Sequence, residues 1–129
     1  MAADFPENIR RFLTDHINSV EQLEVLFLLR KAADREWTAA AVSQALYTPP
    51  DSAARRLADL RSLGLLTATE GPDPAYRYQP ATEGLAQLAD QLAQVYEERR
   101  VTVISLIYSK PHANVQAFAD AFRLRKEKG

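Results

Sequence analysis

Two neighbouring arginines, Arg55 and Arg56, carry the clearest capacity for chemistry in this sequence. A guanidinium held on one helix face presents a fork of donors that fits a guanine edge or a phosphate. Ser52, Thr48 before it and Arg77 further along add donors of the kind that grip a nucleic-acid backbone. The plainer reading of the arginines is a solvated helix face. Asp51 and Asp59 each stand four residues from Arg55, a spacing for local ion pairs. Such pairs contribute only about 0.2–0.5 kcal/mol each, and a phosphate contact outcompetes them.

No catalytic constellation accompanies these residues. His16 and His112 are the only histidines, far apart in sequence, and there is no cysteine. A zinc site needs three or four ligands at set spacings, and none is visible. With four glycines there is no phosphate-cradling loop. The sequence therefore predicts no catalytic residues, no metal and no cofactor, and argues against an enzyme. The lack of cysteine fits a reducing cytoplasm. Met1 to Asn8 carries Asp4 and Glu7 where a secretory leader has a basic then apolar stretch. The apolar-rich run Val101 to Tyr108 is too short to span a bilayer, so no membrane partner is expected.

Six helical segments and two strands would position the polar residues. Ile9, Phe12, Leu13 and Ile17 make an amphipathic stripe over 6–17. Ser19 and Gln22 fit a capping box for a helix over 20–33, apolar all round at Val25-Leu26-Phe27-Leu28-Leu29. Thr38 caps a short helix over 39–46, with Trp37 and Val42 as a hydrophobic staple; an exposed, base-stacking Trp37 is the functional alternative. Thr48 caps the next helix, 49–63, with Pro49 at its first position and Ala53, Leu57 and Leu60 facing inward. Ser52, Arg55, Arg56, Asp59 and Ser62 then point outward, and Gly64 ends the helix. Leu66-Thr67-Ala68-Thr69 and Tyr76-Arg77-Tyr78 alternate as strands over 65–69 and 75–79, around the turn Gly71-Pro72-Asp73-Pro74. Thr82 opens a long helix over 82–109, and a last one runs over 113–125 before the basic tail Arg123 to Lys128.

This order reads as mostly α with a small β-wing: a winged helix-turn-helix with a long C-terminal helix. Its parts are an N-terminal helix (1–18), the winged helix-turn-helix (19–81) and C-terminal helices with a basic tail (82–129). Leu85, Leu88, Leu92 and Val95 are spaced 3-4-3, and with Ile104 and Ile107 they suit a partner helix, predicting a homodimer. The alternative is that the N-terminal and final helices cover this surface within one monomer.

The charges pull in two directions. The net charge is −1. Residues 38–79 carry Arg55, Arg56, Arg61 and Arg77 against Asp51, Asp59, Glu70 and Asp73, an even balance where a nucleic-acid binder is commonly basic. Lys and Arg outnumber Asp and Glu in 99–129, either as an extra phosphate-contacting arm or as a solubilising tail.

The run Asp51-Ser52-Ala53-Ala54-Arg55-Arg56-Leu57-Ala58-Asp59-Leu60-Arg61-Ser62-Leu63-Gly64-Leu65-Leu66 resembles the recognition helix of bacterial winged-helix regulators. So does the wing exit, Tyr76-Arg77-Tyr78-Gln79-Pro80-Ala81-Thr82-Glu83-Gly84. The chain is similar to MarR-like and PadR-like regulators over about residues 19 to 98. The resemblance implies a recognition helix in the major groove of double-stranded DNA and a wing arginine near the minor groove. Carried over, Ser52, Arg55 and Arg56 face the groove, Arg77 lies on the second wing strand, and Thr48 joins the DNA-facing set. The acidic wing tip departs from the basic tip of many binders. The expectation is a cytoplasmic transcriptional regulator that reads a pseudo-palindromic site as a dimer. The alternative is a winged-helix module that binds a protein instead. A third reading adds an effector pocket between the wing and the long helix.

Overall fold

The computed structural model describes residues 5–109; the helix and basic tail expected beyond them lie outside the described residues. The chain runs α1 (Glu7–His16), α2 (Val20–Lys31), α3 (Ala39–Leu46), α4 (Pro50–Ser62), β1 (Leu66–Ala68), β2 (Tyr76–Tyr78), α5 (Glu83–Glu98) and α6 (Arg100–Tyr108). The mostly helical winged-helix reading agrees with this order.

Local side-chain chemistry sets most boundaries. Ser19 Oγ accepts from the Gln22 amide at 3.1 Å. The fully buried Gln22 side chain accepts from the Asn18 amide and donates to the His16 carbonyl, so it closes the corner between α1 and α2 with its own polar atoms satisfied. Thr38 and Thr82 cap α3 and α5 in the same way, accepting from the Ala41 and Leu85 amides. Gly64 follows the end of α4 at φ +87, where a side chain is strained.

The core sits between the helices. α2, α3 and α4 pack on one another, and β1 lies against α4. Leu23, Val25, Leu26 and Leu29 of α2 are all buried, as its all-round apolar run predicts. The inward stripe Ala53, Leu57 and Leu60 of α4 is fully buried. The wing strands pair antiparallel with Leu66 opposite Tyr78, Thr67 opposite Arg77 and Ala68 opposite Tyr76. A third extended residue joins them: Trp37 exchanges two backbone hydrogen bonds of 2.7 Å with Tyr76. Trp37 is buried, with the Arg35 guanidinium 3.9 Å from its ring centre, so it is core and not a base-stacking aromatic.

Three expectations need correction. The helix over 82–109 is broken: Arg99 leaves helical geometry (φ −134, ψ 49), dividing α5 from α6. The β-branched run Val101 to Ile104 follows that break, and it lets α6 pack on α1 as well as on α5. Next, Thr48 does not cap α4. Pro49 is the N-cap, Pro50 takes the first helical position, and no side chain caps the start. Finally, Leu92, Val95 and Ile107 are not left uncovered, since α1 packs on both α5 and α6 and all three are buried within the monomer. Leu85, Leu88 and Ile104 are half-buried.

Candidate nucleic-acid interface

The outer face of α4 is built by subtraction from its core stripe. With Ala53, Leu57 and Leu60 inward, Asp51, Ala54, Arg55, Ala58, Arg61 and Ser62 are exposed. Arg55 forms no ion pair among the described residues, so the expected pairs with Asp51 and Asp59 do not form. Arg77 is exposed on β2, on the strand face opposite Tyr76 and Tyr78. Between them a cleft of about 430 Å³, lined by Arg61, Ser62, Leu66, Thr67 and Ala68, runs where the helix meets the wing.

The other nominated residues are held differently from expectation. Thr48, Ser52 and Arg56 face α2, where all three converge on the Glu21 carboxylate. Thr48 Oγ1 donates to Glu21 Oε2, and Ser52 Oγ donates to Glu21 Oε1. Arg56 Nε donates to Glu21 Oε1 at 2.8 Å, an ion pair in which the two side chains are 19% and 24% exposed. Burial raises the Glu21 carboxyl, but hydrogen bonds from Ser52, Thr48 and Arg56, with the Arg56 charge, outweigh it and lower it from 4.5 to about 2. Ser52 and Arg56 are thus half-buried, not outward, because a carboxylate in the first turn of α2 draws them to that flank.

Sequence reasoning missed two residues here. Nothing in the sequence singles out Glu21, since its partners lie 27 to 35 residues away. Tyr47, not singled out in the sequence, is 95% exposed and held at φ 57, ψ 47 as the left-handed C-cap of α3. Only its place after the last apolar residue of α3 hinted at that conformation. A second cavity, of about 590 Å³, lies between α2, the end of α3 and α5, lined in part by Phe27, Leu28, Tyr47, Tyr96 and Arg100. No wing residue lines it, so it differs from the pocket expected between wing and long helix. Among the described residues no group of three or more His, Asp or Glu could hold a metal ion, and no helix is long and apolar enough to cross a membrane.

No known family's sequence model matches the chain, and no curated protein does. Solved structures do. A variant of ZitR from Lactococcus lactis is 20% identical, covering 90% of this chain and 79% of its own, with a TM-score of 0.51. MepR, a transcription regulator of the Staphylococcus aureus multidrug efflux pump MepA, is 14% identical over 95% of this chain and 91% of its own, with a TM-score of 0.52. A variant of MarR from E. coli is 18% identical over 90% and 88%, with a TM-score of 0.50. The fold is that of these MarR-type winged-helix proteins.

Proposed function

We propose that this chain is a transcription regulator that binds double-stranded DNA through α4 and the wing, in the cytoplasm, as a homodimer on a pseudo-palindromic site. The observation that carries the reading is the outer face of α4. Arg55 and Arg61 stand exposed on a helix whose opposite stripe is fully buried, beside a wing that exposes Arg77. A rigid helix with unpaired guanidinium groups on its free face fits a major groove, and the wing adds backbone contact beside it. MepR, which shares the fold, is a transcription regulator. For the dimer, Val101 at 77% exposure lies on α6 in the same C-terminal region as the half-buried Leu85, Leu88 and Ile104, apolar surface that a second copy could cover.

A second reading is supported by charge. Asp51, Glu70 and Asp73 are exposed on α4 and the wing tip, against the sign that a DNA surface favours. That pattern suits a winged-helix module that docks on a protein. Selection of bound sequences from random duplex DNA separates the two. Enrichment of a motif with two-fold symmetry supports the regulator, and failure to enrich any motif moves the assignment to the protein-binding module.

A further inference from the structure

Glu21 gives the DNA-binding surface a part that neither the fold nor the exposed arginines explain, and the inference rests on the DNA-binding reading. A carboxylate beside a phosphate-binding face is repulsive to DNA when it stands alone. Here it is matched by the Arg56 guanidinium at 2.8 Å and by two hydroxyls, one in the helix-turn-helix turn and one in the first turns of α4. No side chain caps the start of α4, so the donors of Thr48 and Ser52 are what tie that start to α2. Arg56 uses only Nε in the pair, and its two terminal nitrogens have no partner among the described residues. Fixing Nε fixes the plane of the whole guanidinium, because the group is rigid and planar. The outer edge of the fork is then presented in one orientation, with its ordering already accomplished before DNA arrives.

We propose that Glu21 is the positioning residue of the DNA-reading surface: it anchors the start of α4 through Thr48 and Ser52 and aims the terminal edge of Arg56 at the duplex. Its effect is on discrimination between sequences, not on attraction to DNA. Removing the carboxylate takes away a repulsive charge and frees Arg56 to reach any phosphate. Lysine cannot replace Arg56 in this scheme, since an ammonium is a point charge and cannot hold Glu21 with one rigid edge while offering another.

The test measures binding of a fluorescent duplex carrying the motif enriched from random DNA, and of a shuffled duplex, by the parent chain and four variants. Glu21→Ala is expected to lower the ratio of the two affinities by about tenfold, the scale of one lost bidentate contact, while binding to the shuffled duplex holds or tightens. Glu21→Gln keeps an acceptor oxygen for Arg56 and Ser52, and its amide NH2 can donate to the Thr48 hydroxyl, so its ratio stays within about threefold of the parent's. Arg56→Lys keeps the charge and the fold and is expected to lose the ratio as Glu21→Ala does. It also serves where Glu21→Ala folds poorly by circular dichroism. A purely structural Glu21 would instead weaken both duplexes alike. A Glu21→Ala or Arg56→Lys chain that is folded and keeps the parent's ratio overturns the proposal while leaving the DNA reading in place. Arg55→Ala is the independent control. If the parent prefers no duplex and Arg55→Ala changes nothing, the DNA reading falls and this inference falls with it.

Discussion

At the scale of single residues, the two arginines that look alike in sequence are in opposite situations. Arg55 is exposed without an ion pair among the described residues, whereas Arg56 is held by Glu21. Truncation of Arg55 should therefore leave the fold intact and weaken binding to the enriched duplex by about 1–3 kcal/mol if it forks onto a guanine. Fluorescence titration reads that loss, and circular dichroism checks the fold. Glu21 makes a second prediction through acid. Its carboxyl is lowered from 4.5 to about 2 in the folded chain, so the stability it contributes is complete above about pH 4.5 and is lost as pH falls toward about 2. Urea unfolding across that window should fall less steeply in Glu21→Gln than in the parent. The exposed Arg55 was legible because spacing against Ala53, Leu57 and Leu60 places it outward. The Glu21 cluster was not, because helical periodicity says nothing about a partner on another helix.

At the scale of elements, α4 depends on its buried stripe. Leu57→Ala should cost about 2–5 kcal/mol in a urea titration, because the side chain is fully buried and its removal leaves a cavity beneath the helix. An unchanged midpoint would refute the packing of α4 described above. The wing, the caps at Thr38 and Thr82 and the α4 core could be read from sequence because each rests on a local rule of spacing or capping, whereas the same rule misplaced Thr48. Two features could not. The break at Arg99 has neither glycine nor proline to announce it; α5 ends there and α6 turns toward α1. The Trp37 bridge is a strand one residue long, too short for any alternation to show.

At the scale of the whole molecule, α1, α5 and α6 form a helical layer joined to the winged unit by few polar contacts. Arg30 of α2 binds Asp90 of α5 at 2.8 Å across that junction, while Asn8 of α1 binds Gln91 of α5 at 2.8 Å within the layer. Both pairs are exposed to solvent, so each contributes modestly to stability. If α6 meets a second copy, Val101→Glu should yield a folded monomer in sedimentation velocity at micromolar concentration. A carboxylate in the first turn of a helix suits its dipole, so the fold tolerates the change while an apolar interface does not. A parent that sediments as a monomer rejects the homodimer, and a Val101→Glu chain that stays dimeric removes this face from it.

The paired bonds between Trp37 and Tyr76 tie together the two ends of a stretch that contains α3, α4 and β1. That stretch is therefore a closed ring in the native chain, and neither α3 nor α4 can be released at one end without opening the clasp. Local fraying is suppressed, and the ring comes apart as one cooperative unit. The Trp37 and Tyr76 amides should then exchange with deuterium at one shared rate, slower than the amides at the Gly71–Pro74 tip. Two distinct rates would mean that the two bonds of the clasp open independently.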